Sequence, residues 1–172
     1  MTPDGPAREQ QLLTWLPRLR RYARALAGNR EDADDLVQDT LLRAWSRPGL
    51  WGGVADVRAW LFAILHNLHV DAIRRSKIAT VPLDEHTPEP PTPARQGERL
   101  AVLDLQGALD LLPAEQKEVI LLVALEDMSY ADIAALLSIP IGTVMSRLAR
   151  GRERLRSLVE GRAEPVRLKV VK

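Results

Sequence analysis

Three sets of side chains in this 172-residue chain have types and spacings that could do chemistry. The first is acidic: Asp32, Asp34, Asp35 and Asp39, with Gln38 among them. Clustered carboxylates can hold a divalent cation through oxygen, which opens the reading of a metal-dependent nuclease. Acids crowded into the first turns of a helix are also what the helix dipole favours on a solvated surface, and no complementary ligand set accompanies them. The second set is His66 and His69, three apart on one helix. Such a pair can ligate a metal, but no third ligand is suggested, and partial burial or contact with nucleic acid fits it better. With no cysteine in the chain there is neither a disulfide framework nor a thiolate site. No cofactor and no catalytic residue is expected.

The third set lies in SYADIAALLSIPIGTVMSRLARGRERLR, Ser129 to Arg156. Ser129 suits an N-cap, with Asp132 placed to return a bond to its backbone. Ser138-Ile139-Pro140 breaks the helix that follows, and Pro140 suits the start of another. In that second helix, from about Ile141 to Val159, an apolar side is formed by Ile141, Val144, Leu148, Leu155 and Val159. Thr143, Ser146, Arg147, Arg150 and Arg154 form a polar, basic side. This is the pattern of a helix-turn-helix; the alternative is a helical hairpin with a solvated basic face. Charge supports nucleic-acid binding. Residues 141–172 hold nine Lys/Arg against three acids, and residues 98–140 hold two against eight, a polarity of +6 and −6 concealed in a formal net charge of +1. The acidic stretch would keep DNA off the scaffold while the basic helix meets phosphate.

The elements that must position these residues are all helical. Hydrophobic residues make up 46% of the chain, enough for a core. Leu, Ala and Arg dominate, and alternating β-branched runs are missing. The N-terminal residues carry no apolar secretion signal, and no run of about 18 apolar residues could span a membrane, so a cytoplasmic protein without membrane insertion is expected. A short helix from Ala7 to about Leu16 is expected to give way to a second beginning at Pro17, with Leu19, Tyr22, Ala23 and Leu26 inward and Gly28 as its stop. Asn29 caps a helix to about Ser46 that buries Ala33, Leu36, Val37, Leu41, Ala44 and Trp45. A Gly-rich loop follows at Pro48–Ala55. Asp56 caps a helix to about Lys77, whose apolar stripe includes Trp60, Leu61, Ile64, Leu65, Leu68 and Ile73. Val81–Gly97 contains five prolines and almost nothing to bury, the composition of a flexible linker. It divides an N-terminal module, 1–80, from a C-terminal one, 98–172, that opens with a helix near Arg99–Leu111 and a second starting at Pro113.

Three of these segments, in this order, resemble the extracytoplasmic-function (ECF) sigma factors of bacterial RNA polymerase. DADDLVQDTLLRAW (Asp32–Trp45) is similar to their core-polymerase-binding segment. DVRAWLFAILHNLHVDAIRR (Asp56–Arg75) resembles the helix with which they melt and read the minus-ten promoter element. Leu109–Leu155 is similar to the region that reads the minus-thirty-five element. The resemblance implies an all-α protein of two small domains joined by the Pro-rich linker. It would bind core RNA polymerase, the duplex upstream element and the melted downstream element, and be held in check by an anti-sigma factor. It assigns polymerase binding to Asp34, Asp35, Gln38, Asp39 and Leu42. Minus-ten DNA falls to Trp51, Asn67, Arg74 and Arg75. Trp51 matches an aromatic beside the pocket for a flipped base, where stacking is one reading and a loop anchor the other. Minus-thirty-five DNA falls to Thr143, Met145, Ser146, Arg147, Ala149 and Arg150. Met145 and Ala149 depart from the family's usual Lys/Arg and larger residues, which implies fewer phosphate contacts. A regulator that binds DNA without joining polymerase, and a mimic that only sequesters an anti-sigma factor, are the rival functions.

Overall fold

The computed structural model describes residues 5–46, 56–79 and 105–163. All regular structure among them is helical: α1 (Gly5–Ala27), α2 (Arg30–Trp45), α3 (Val57–Ala79), α4 (105–110), α5 (Ala114–Glu126), α6 (Tyr130–Leu137) and α7 (Ile141–Ala163). The Pro-rich linker and the loop carrying Trp51 lie outside the described residues.

α1, α2 and α3 form the N-terminal bundle, α2 packing on both neighbours. Leu19, Tyr22, Ala23 and Leu26 of α1 are buried as their spacing requires, facing Ala33, Leu36, Val37 and Ala44 of α2 and Leu61, Phe62 and Leu65 of α3. Tyr22 meets Phe62 edge-to-face, ring centroids 5.1 Å apart, the arrangement aromatic quadrupoles prefer. The turn between α1 and α2 follows its sequence: Gly28 adopts φ +80°, a region open to glycine without a Cβ clash, and the Asn29 side chain accepts from the Asp32 amide at 2.9 Å. Asp56 caps α3 in the same way, accepting from Ala59 N–H at 3.1 Å.

Two expectations for this module are corrected. α1 is not two helices; it runs through Pro17 without a break. Proline removes one backbone bond, but Pro17 is exposed and the junction is bridged by side chains. Leu12, Leu16 and Leu19 continue one apolar face across it, and the Arg18 guanidinium lies 5.2 Å from the Trp15 ring centroid, a cation–π distance. Trp45 is not core but 54% exposed, because Ala44, one residue earlier, already fills the inward position at the end of α2.

In the C-terminal module α5 is the hub, packing on α7, α6 and also α1. α6 starts at Ser129, whose hydroxyl accepts from Asp132 N–H at 3.1 Å and donates to the Asp132 carboxylate at 2.7 Å. The capping pair forms, although the acid takes the hydroxyl proton rather than a backbone one. Ser138 ends α6 in the left-handed region, φ 54°, and its amide and that of Ile139 reach back to Ala135 and Ala134 carbonyls, closing the helix as a Schellman-type cap does. The chain then turns through 105° into α7, within the helix-turn-helix range. No single described helix is long and apolar enough to cross a membrane.

Candidate nucleic-acid interface

α7 is held from behind. Val144 and Leu148 are buried, and Gly151 sits so close to α5 that a Cβ there would lie 2.7 Å from Ile120 Cδ1 and 3.2 Å from Gln116 Cβ. A glycine inside a helix costs about 1 kcal/mol relative to alanine; here it allows the two backbones to approach. The inward side differs from the expected stripe at its ends: Ile141 and Val159 are exposed, while Gly151, Leu155 and Leu158 complete the contact. Gly151 was legible only as a lone glycine inside a helical pattern.

With that side fixed, the opposite face is presented outward. Ser146 and Arg150 are exposed, and Thr143 and Arg147 half-buried at its margin. Ser146 donates its hydroxyl proton back to the Thr143 carbonyl at 3.0 Å. The hydroxyl oxygen keeps its accepting capacity. Arg147 and Arg150 have no ion-pair partner among the described residues. Met145 and Ala149, both exposed, occupy the adjoining flank.

On α3 the expected minus-ten residues divide. Asn67 and Arg74 line one polar cleft of about 420 Å³ with Arg43 and His66. Arg75 points instead into the cleft between α2 and α3, with Asp32, Asp35, Asp39 and His69, and its Nε donates to the Asp71 carbonyl at 3.3 Å. Arg43 lines the cleft of Asn67 and Arg74, although the sequence reading did not single it out. It sits in α2's last turn, where a base complements the helix dipole, so nothing local marked it as more.

Asp34, Asp35, Gln38, Asp39 and Leu42 all lie exposed along the outer side of α2. Asp35 and Asp39 border the cleft toward α3. Asp34, Gln38 and Leu42 border a second cleft toward α1, with Arg20, Arg24 and Arg30. Asp34 pairs with Arg30 at 3.5 Å and with Arg24 at 4.0 Å, exposed contacts worth little. Beyond Leu42 the surface turns apolar: Leu12, Leu13, Leu16, Leu41, Leu42 and Trp45 line a groove in which Leu13, Leu42 and Trp45 are more than half exposed. Trp45, three residues after Leu42, belongs to this surface.

His66 and His69 are both partly buried. His66 Nδ1 pairs with Glu118 of α5. Desolvation holds the pKa of His69 below the ordinary 6.5. Among the described residues no three His, Asp or Glu side chains come together as a metal site.

Comparison with known proteins assigns each half of this architecture. Residues 12–66 match the family described as the Sigma2 domain of PhyR, and residues 103–155 match Sigma-70, region 4. The chain is 36% identical over 149 residues to the ECF RNA polymerase sigma factor EcfG of Rhodopseudomonas palustris, covering 86% of this chain and 82% of that one. It is 39% identical over 142 residues to SigM of Mycobacterium tuberculosis, covering 82% and 71%. Among solved structures it superimposes on the sigma factor RpoE of Bartonella quintana, in complex with the anti-sigma factor NepR, with TM-score 0.71, 34% identity and coverage of 88% and 96%. CnrH, in complex with the cytosolic domain of CnrY, follows with TM-score 0.70, 28% identity and coverage of 92% and 91%. The two modules, their order and their helix-turn-helix are those of one family, and the chain belongs to the ECF sigma factors of RNA polymerase.

Proposed function

We propose a division of labour among the helices of this sigma factor, which directs RNA polymerase to promoters. α7 enters the major groove of the upstream, minus-thirty-five element, with Thr143, Ser146, Arg147 and Arg150 toward the DNA and Met145 and Ala149 at the edge. α3 receives the melted minus-ten strand in the cleft of Asn67 and Arg74, joined by Arg43 from α2 and by Trp51 from the preceding loop. Arg75, facing the other way, serves the phosphate backbone or the α2 acids rather than the base. The outer side of α2, from Asp34 and Asp35 through Gln38 and Asp39 to Leu42 and Trp45, docks on core polymerase. Residues 1–80 and 98–172 then act as the two promoter-reading domains, with 81–97 as the tether between them. The protein works in the cytoplasm without a reaction of its own, and an anti-sigma factor sequesters it, as NepR binds the Bartonella relative.

The observation that carries this reading is the rigid presentation of α7. Its buried side is locked on α5, while Arg147 and Arg150 have no ion-pair partner among the described residues. Run-off transcription with core polymerase and a promoter library tests it: a transcript that depends on this chain is expected. Reversing Asp35 and Asp39 to Lys is expected to weaken core binding in a pull-down with helicity unchanged. Parent-like affinity would remove those two residues from the polymerase surface.

A further inference from the structure

α5 carries three charged residues that are buried: Lys117, Glu118 and, with no exposure at all, Glu126. Each of them finds a partner in the N-terminal module. The Glu126 carboxylate lies 2.9 Å from Arg18 Nε, an ion pair without hydrogen-bond alignment, and accepts from Arg21 Nη2 at 3.2 Å. Its backbone carbonyl accepts from Arg58 Nη1 at 3.2 Å, and Arg21 also donates to the Leu125 carbonyl. Glu118 pairs with His66. Lys117 Nζ donates to the Leu26 carbonyl at 2.9 Å and to Asp110 of its own module at 2.7 Å. The order of these partners makes α5 antiparallel to both α1 and α3, seated between them.

This packed arrangement cannot be the one that works on a promoter. The two elements are about 25 base pairs apart, or roughly 85 Å at 3.4 Å per base pair. A packed chain of this length has a radius of gyration of roughly 16 Å, too small to reach both. The interface has the character of one that opens: charged groups that water can take back, and a buried Tyr22 hydroxyl, beside Glu118 and Glu126, with no hydrogen-bond partner among the described residues.

We propose that Glu126, its carboxylate gripped by Arg18 and Arg21 and its backbone carbonyl held by Arg58, is a latch that holds the two modules closed while the chain is off the polymerase, so that core binding must first open it. The proposal rests on the sigma-factor reading above, but its main test does not need polymerase. The chain has no cysteine, so Ser46→Cys and Ser157→Cys, both at exposed positions, give one unique label in each module of the full chain. A short, narrow inter-label distance is expected in the parent. Glu126→Gln, and separately Arg18→Ala/Arg21→Ala on the partly exposed side, are expected to lengthen and broaden it with helicity retained. High salt should do the same to the parent. The variants should also bind core polymerase more tightly, about tenfold if closed molecules outnumber open ones ten to one. An extended parent, or arginine variants as closed and narrow as the parent, overturns the latch. A parent that shows the closed distance yet never binds core polymerase overturns the sigma-factor reading and leaves the contact standing.

Discussion

α5 and α7 cross each other in one module, and both are rich in charge, yet they use it in opposite ways. On α5, Lys117, Glu118 and Glu126 are buried, and their side chains are mated to the Leu26 carbonyl and Asp110, to His66, and to Arg18 and Arg21 respectively. On α7 the arginines stand outward, and of those described only Arg156 has an ion-pair partner, Glu153 at 3.1 Å. The difference follows from what surrounds each helix. α5 is packed among α1, α3, α6 and α7, so any charge on its buried sides must be paired to escape a large desolvation cost. α7 buries one side only, and the charges on its exposed side keep their water. A charged helix therefore signals an external ligand only when its charges lack internal partners.

The contrast breaks most severely if α7's buried side is given a charge with no partner. Val144 is fully buried, so Val144→Asp is expected to cost about 3 kcal/mol or more, read as loss of the cooperative unfolding transition. A parent-like denaturation midpoint would mean that α7 is not seated on its neighbours. A milder test uses two glycines on the same helix. Gly151→Leu overfills the contact with Ile120 and Gln116 and should cost about 1–3 kcal/mol. Gly142 has nothing within 4 Å of a Cβ, so Gly142→Ala should stabilise by up to about 0.5–1 kcal/mol. If both changes move stability the same way, the close approach of α5 and α7 is wrong.

Much of this was legible in the sequence. The buried positions of α1, the caps at Asn29, Asp56 and Ser129, the break at Ser138 and the polar side of α7 all follow from local spacing and side-chain chemistry. What was not legible depends on contacts distant in sequence. Lys117, Glu118 and Glu126 look like surface charges within an apolar run, because their partners in the other module lie 52 to 108 residues away at His66, the Leu26 carbonyl, Arg21 and Arg18. Phe62 was absent from the α3 stripe because periodicity alone does not show that Tyr22 of α1 would cover that side too. Trp45 was placed inside on hydrophobicity, when its position on α2 makes it part of an exposed apolar surface. Asn67 and Arg75 were grouped by the resemblance of their helix to the family's minus-ten helix, yet α3 turns them into different clefts.

The smallest expected change in stability belongs to the exposed arginines, and it sharpens the comparison most. Arg150→Ala removes a side chain with no ion-pair partner among the described residues, so stability should stay within about 0.5 kcal/mol of the parent. Arg147 is half-buried, so the double variant should lose slightly more through lost packing of its stem. Binding is where the loss should appear. If both arginines contact phosphate, the full chain with core polymerase should lose affinity for all upstream elements alike, and the salt slope should fall by about 0.9 for each contact removed. If Arg150 instead reads a guanine edge bidentately, the loss should be about 1–3 kcal/mol and confined to elements carrying that base. Affinity measured against salt on two upstream sequences separates the cases. A double variant with parent-like affinity and slope on both would place α7's charge with ordinary solvated surface charge, and the minus-thirty-five element would have to be read by some other part of the molecule.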